Sequence, residues 1–541
     1  MGPLRVTEFR WLWLASTFSN VGVFLQSVAG SWLMLELTGS ATWVGLMVAS
    51  NLLPTLFLAV LAGAVADLID RTKVMIAAQL LSGVAAAAMA WVTAAGAMTP
   101  QILLLLGLVL GVGVAFNLPA WQSFVPDLVP RGMVASAVAL NSVAFNVARA
   151  VGPALGGLIL ATAGAGLAFG INALSYLLVV AVLAVIGRTV AVAGDQDATS
   201  IVSAMGVGVR FARFTPAFRR VLLMAAGFAV VSSVVQAVLP NLTAELGGSE
   251  TVFGILLGSM GLGALVGAFT RPHVVDRLRR RLVPFSVTLF GLSTVALGLA
   301  PGVPAAVLAL VVIGVCWVWA LTTLNAIAQL MSPPWVRGRA MSMYTLAFVG
   351  ILPLGSSLSG VVADAIGAGG ANVVFGAAAV LLGLASPRLG IPALTDVESP
   401  EFEPDRQMPD HVDTEGGPVM VLNTWLVGPE ATDELLGLMT ELRRIRLRTG
   451  AYRWRLYRNA DDPHRLTEVF VCTSWEEHLA QHRRMDDASV SVIRRAIALD
   501  RRGHPTSRHL VAVDVENPHD WEVLGAAHEE YHRLDGSVPI E

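Results

Sequence analysis

Lysine is almost missing from this chain: Lys73 is the only one, beside 35 arginines. Cysteine is nearly as rare. Cys316 falls in an apolar run and Cys472 in a polar region, so no disulfide framework can be built, and both read as small buried hydrophobes. Charge of either sign is scarce at 14%, whereas hydrophobic residues make up 55% and mean hydropathy is +0.66. That balance excludes an ordinary water-soluble globular protein. Histidine is confined: all but His273 of the ten lie beyond residue 391. No Asp or Glu falls in the middle of any long apolar run, so no carboxylate can be named as an ion relay. No metal, cofactor or nucleic acid is expected.

What is present is a series of apolar runs, each long enough at 1.5 Å per residue to cross a hydrocarbon core of roughly 30 Å. They fall near residues 11–35, 41–66, 74–96, 101–124, 135–162 and 166–187, then 220–243, 251–270, 284–301, 304–331, 340–363 and 370–387. Residues 1–187 and 220–390 read as two six-helix halves joined by a linker at 188–219. The first run is long and lacks a clear small-residue cleavage site, so it reads as a retained helix rather than a signal peptide. The expected class is an all-α membrane protein with twelve transmembrane helices in two pseudo-repeats. Arg5, Arg10, Arg71, Lys73, Arg131, Arg210, Arg213, Arg219, Arg220, the basic cluster at 277–281, Arg337 and Arg339 all fall on one face. Glu36, Glu245 and Glu250 fall on the other. By the positive-inside rule, both termini are cytoplasmic.

The halves share a pattern. Arg131-Gly132 opens the fifth run, with Ser136 behind it, and Arg337-Gly338 opens the eleventh, with Ser342 behind it; Pro153 and Pro353 stand inside those runs. Between the second and third runs, Gly63, Asp67, Arg71 and Lys73 form a short charged turn. Gly152, Pro153, Gly156 and Gly157 give the fifth run a flat face for close helix packing and a site for a bend. Glycines of the eighth run, from Gly254 to Gly267, offer a matching surface.

Arg149 lies near the middle of the fifth run, where a charge costs about 2.5 to 3.5 kcal/mol on insertion scales. It reads either as a fixed positive charge in a central cavity or as a structural arginine satisfied by carbonyls and amides. Asn20, Gln26, Asn117 and Asn146 are candidates to line a substrate path with it, or to tie helices together.

The turn at 63–73 resembles the loop between helices 2 and 3 of major facilitator superfamily transporters, and Gly-Pro-x-x-Gly-Gly at 152–157 resembles a motif of its exporting branches. Further likeness lies in Trp32 to Ser40, Phe116 to Gln122 and Val125 to Arg131. Together these resemble the bacterial transmembrane efflux group that includes enterobactin exporters. The resemblance implies alternating access and export of a siderophore, natural product or drug-like compound across the bacterial inner membrane, driven by the proton gradient. It also implies a gate in which Asp67, steadied by Arg71, meets the start of the eleventh helix. A broad multidrug pump is the alternative within the same class. A membrane-tethered enzyme is the alternative outside it.

That last alternative rests on the tail. Residues 391–417 read as an acidic linker, and 418–514 as one βαββαβ unit of ferredoxin-like kind, followed by a polar tail at 515–541. The segments around Trp454 and from Ser474 to His482 resemble antibiotic-biosynthesis monooxygenase domains, which pair into barrels. A homodimer through this domain is therefore implied. Trp454, Trp475 and His478 could line a pocket, but such residues more often pack a core, and no catalytic role is assigned. His528-Glu-Glu-Tyr-His532 matches the H-E-x-x-H zinc spacing but lacks a third ligand and a scaffold, and His478 with His482 reads the same way, so zinc chemistry is not expected.

Overall fold

The computed structural model describes residues 2–68, 70–186, 201–333, 335–392 and 418–512. The chain divides into two compact units. The first comprises residues 1–201, 220–328 and 342–397, and the second 202–219, 329–341 and 398–541.

In chain order the helices are α1 (Thr7–Thr38), α2 (Ala41–Leu68), α3 (Arg71–Ala94), α4 (Pro100–Asp127), α5 (Val134–Ile186) and α6 (Ile201–Phe214). Then come α7 (Pro216–Glu245), α8 (Glu250–Leu278), α9 (Leu282–Gly298), α10 (Val303–Leu330), α11 (Arg337–Phe348) and α12 (Leu352–Ala385). Among the described residues, nine helical stretches are long and apolar enough to cross a membrane. Three of them, of 51, 49 and 53 residues, are broken internally. Gly164 breaks α5 at φ 78° and Gly367 breaks α12 at φ 81°, a backbone region open mainly to glycine. Residues 279–281 separate α8 from α9.

These helices are apolar on their outer surface as well as inside. Trp91 is 74% exposed and Phe269 79%, which fits lipid rather than water as the surroundings. Within the first half α1 packs on α5, α2 on α4, and α3 on both α4 and α5. The turn between α2 and α3 is tight because Asp70 caps α3, accepting from Thr72 N at 2.8 Å and Lys73 N at 3.4 Å.

One expectation is corrected. The eleventh run is not one helix over 340–363: α11 stops at Phe348 and α12 starts at Leu352, so Pro353 sits in a first turn, where its missing N–H is harmless. Pro153, by contrast, lies inside α5. Within the segment 188–219, the described residues form α6 and the start of α7.

Two antiparallel seams join the halves of the first unit. Along α5 and α8, a Cβ placed on Gly254 would lie 2.8 Å from Gly157 Cα, while Gly258 and Gly261 face Ala150. Along α2 and α12, a Cβ on Gly360 would lie 2.5 Å from Ala41 O, and Gly45 faces Ser356. Backbones approach this closely only where Cβ atoms are absent.

In the second unit, β1 (Val419–Leu426), α13 (Thr432–Thr449), β2 (Arg453–Arg458), β3 (Arg465–Cys472), α14 (Trp475–Arg483), α15 (Asp487–Ile497) and β4 (Thr506–Val511) follow in sequence. The strands form one antiparallel sheet in the order β2-β3-β1-β4, with Val421 opposite Phe470 and His509. One core gathers Trp425, Leu435, Leu438, Leu442, Leu466 and Ala496. The other, around Val421, Phe470 and Trp475, also takes Phe214 from the end of α6. The Arg484 guanidinium lies 4.7 Å from the Trp335 ring centroid and pairs with Glu477 at 2.6 Å, so the segment before α11 packs on the same unit.

Candidate functional site

A cavity of about 180 Å³ lies between the two halves of the first unit. Ser27 and Ser31 come from α1, Met47 and Asn51 from α2, Arg149 and Pro153 from α5, Gln236 from α7, and Phe253, Leu257 and Met260 from α8. The helices bring these side chains together for two reasons. The glycine seam lets α8 approach α5 closely enough to place Gly261 against Arg149 O at 2.6 Å from a built Cβ. Pro153 removes an N–H from the middle of α5 beside the same level.

Arg149 is the only charged side chain lining the cavity. Its guanidinium sits 5.7 Å from the Trp317 ring centroid, a cation–π contact to α10 of the other half. Trp317 is held in turn by Phe228, Phe290 and Phe348, at centroid distances of 5.7, 6.3 and 6.0 Å. Among the described residues no carboxylate pairs with Arg149. Around it stand two amides, two hydroxyls, two methionines and the rings of Phe24 and Phe253. Such a lining can grip one negatively charged or strongly polar group and pack an apolar body beside it. A wider hollow beside Gly164, lined by Ala87, Trp91, Ala94, Leu167 and Leu174, holds no charged residue.

Of the five substrate-path candidates singled out from sequence, Arg149 lines this cavity and four do not, while Pro153 of the packing motif lines it too. Gln26 is buried and accepts from Asn172 Nδ2 at 2.5 Å, in a network with Ser175 and Ser19 that ties α1 to α5. Asn117 accepts from Gln79 at 3.4 Å, between α3 and α4. Asn146 donates to Ser142 O of its own helix at 2.8 Å. Asn20 is half-buried in α1. Gly152 and Gly156 face α1 at Phe24 and Leu25, while Gly157 faces α8. Gly63 and Asp67 lie in α2, and the side chain of Asp67 lies outside what is described, as does the histidine pair at 528 and 532. Arg71 and Lys73 begin α3.

Gln236, Ser27, Ser31 and Phe253 were not singled out. None of them is charged or belongs to a motif itself, and the packing angle of the helices turns each inward. Gln236, the lone amide in the middle of the seventh run, was the available signal.

In the second unit the polar residues are largely committed to one another. Glu468, fully buried, accepts from Asn423 at 2.8 Å, Trp454 at 2.9 Å and Arg446 at 3.2 Å. His478 is buried among the rings of Phe470, Trp475, His482 and His509, with the two histidine centroids each 4.9 Å away. Burial first, then the nearby His482, His509 and Arg446, push its pKa down to about 2. Among the described residues no group of three His, Cys, Asp or Glu is placed to hold a metal ion.

Long helices packed along glycine seams around a polar-lined cavity, with an apolar outer surface, are the architecture of a membrane transporter. Comparison with known proteins agrees. The Transmembrane secretion effector family matches residues 1–517, and the chain belongs to this family of the major facilitator superfamily. It is 26% identical to the multidrug efflux pump Tap of Mycobacterium tuberculosis, over 72% of this chain and 95% of that protein. It is 25% identical to the staphyloferrin A transporter of Staphylococcus aureus, over 66% and 90%, and 26% identical to the enterobactin exporter EntS of Escherichia coli, over 65% and 84%. In fold it is similar to a bacterial homologue of the lysosomal transporter Spinster in an inward-facing conformation, with TM-score 0.56, 17% identity and 74% of this chain covered against 100% of that one. It is likewise similar to a D-xylose–proton symporter, with TM-score 0.58, 18% identity and 72% against 99%. The chain is a multi-pass secondary transporter that exports small molecules, and not an enzyme.

Proposed function

We propose that the protein exports a small molecule bearing an anionic or strongly hydrogen-bonding group, and that Arg149 grips it in the cavity between the halves. The carrying observation is a guanidinium that lines a mid-depth cavity with no carboxylate beside it. A deep charge left in this way is costly unless a ligand answers it. Relatives named for enterobactin and staphyloferrin A export support a siderophore or similar natural product as substrate, and the Tap relatives support a drug-like one.

Each of the three broken stretches crosses the membrane twice, which turns nine stretches into twelve crossings. The even number and the basic face support a reading with both termini in the cytoplasm of a bacterium and the protein in its inner membrane. The halves rock about the cavity, and the proton gradient supplies the driving force. Gly63, Asp67, Arg71 and Lys73 form the inner gate. The tail, with the β1-to-β4 order of a ferredoxin-like fold, pairs with a second copy. Domain limits follow the two halves, the linkers at 188–219 and 391–417, and the soluble domain at 418–514.

The test compares metabolites in the medium of cells with and without the protein, followed by Arg149→Ala. Export should disappear while membrane insertion stays unchanged. Export at full rate would assign the charge to structure alone.

A further inference from the structure

Two carboxylates at the acidic end of the first unit hold helix starts. Glu245, ending α7, accepts from Ala368 N at 2.6 Å and Gly369 N at 3.0 Å, just past the break in α12, so it ties the second half to itself. Asp364, three residues before that break, reaches across to the first half. It accepts from Ser40 Oγ at 2.6 Å, Ala41 N at 2.6 Å and Thr42 N at 3.1 Å. Residues 41 and 42 open α2, whose first N–H groups have no partner within the helix and whose dipole favours a negative charge.

The setting makes this more than a cap. Asp364 continues the α2–α12 seam by one turn beyond Gly360, where backbone meets backbone at Ala41. Other contacts between the halves toward this end are packing contacts, such as Gly157 against Gly254 and Trp32 stacked on Phe253 at 5.7 Å. Among the described residues in these contacts, Asp364 is the exposed and ionisable one, so water can replace its three bonds when the halves part. A directional, charge-assisted contact of this kind holds one geometry and loses its strength abruptly with displacement.

The geometry points to Asp364 as the latch that holds the outer end of the transporter shut, with Ser40, Ala41 and Thr42 as its catch. The assignment rests on the export reading for its purpose and on the proposed orientation for the word outer. It makes Asp364 a positioning residue: it touches no substrate, and it sets how much of the time the Arg149 cavity faces outward.

The test reads accessibility in the full-length protein and requires no substrate. Cys316 and Cys472 are replaced by alanine, Met47→Cys is introduced at the cavity wall, and intact cells are treated with a membrane-impermeant maleimide. Asp364→Ala should raise the labelling rate by about tenfold or more, as expected if the lost charge-assisted bonds had favoured the closed state. Asp364→Asn, which keeps an acceptor without the charge, should fall between. Glu245→Ala removes a similar cap inside one half and should leave labelling unchanged. Conversely, Ser40→Cys combined with Asp364→Cys, cross-linked by a short bifunctional reagent, should suppress labelling. Labelling unmoved by Asp364→Ala, or raised equally by Glu245→Ala, would overturn the latch. Export at full rate from Arg149→Ala alone would overturn the substrate grip assigned to Arg149 and leave the latch standing.

Discussion

Arg149 and Arg446 are both drawn out of water, and their surroundings differ in kind. Arg446 lies against a fully buried carboxylate, 3.2 Å from Glu468, with its guanidinium 4.5 Å from the Phe470 ring centroid. Asn423 and Trp454 take up the rest of Glu468, so the cluster is closed. Arg149 has an aromatic ring on one side, a cavity on the other and no carboxylate. A buried charge with all its partners supplied by the chain serves the fold. One whose partner is left out is ready for something that arrives.

The comparison is broken or sharpened by experiment, beginning with the largest effect. Arg149→Ala should abolish export outright, as set out above. Arg446→Met should cost the second unit about 3 to 5 kcal/mol, because it leaves Glu468 buried without its cation. Arg149→Met, measured by the same thermal unfolding in detergent, should cost nothing or add stability. If both substitutions destabilise alike, Arg149 is structural and the contrast fails.

A smaller effect follows from His478. Its folded pKa of about 2 lies below the ordinary value of 6.5, so the unfolded chain binds the proton and the folded one does not. Stability from this group is therefore complete above pH 6.5 and falls by about 1.4 kcal/mol per unit as pH drops below it. Asp486 and Asp500, also held below the usual carboxylate range, act in the same direction but only below about pH 4. Denaturant melts of the second unit from pH 7 to 5 should show the slope, and His478→Phe should flatten it. Smallest of all, Gln26→Leu should cost about 0.6 kcal/mol, the usual worth of one interhelical hydrogen bond in a membrane bundle. A loss of export from Gln26→Leu would instead place that network on the substrate path.

Much of the helical part was legible because bilayer physics writes it plainly into sequence. A run of about twenty apolar residues has few ways to satisfy its backbone other than as a helix. The expected runs at 41–66 and 74–96 lie within two or three residues of α2 and α3. The segment read as a βαββαβ unit, 418–514, contains β1 and β3, since alternation at period two marks a half-buried strand. The misses share a cause. Whether Pro353 sits inside a helix or at its start depends on a break at residues 349–351, where Gly350 and Pro353 are a stop signal that is also common inside membrane helices. The helix α6 is amphipathic, and its Phe214 finds cover only against a domain some two hundred residues away in sequence.

The same division runs through the site. Sequence by itself determined that the chain is a membrane protein and that Arg149 falls near the middle of an apolar run, because hydrophobicity and spacing are properties of single segments, while its motifs carried the likeness to transporters. Only the tertiary structure decided that Gln26, Asn117 and Asn146 hydrogen-bond elsewhere, that Gln236 and Phe253 line the cavity, and that Asp364 reaches α2. Those outcomes depend on how each helix is rotated about its axis and on which neighbour it meets. That is set by the glycine seams between helices far apart in the chain.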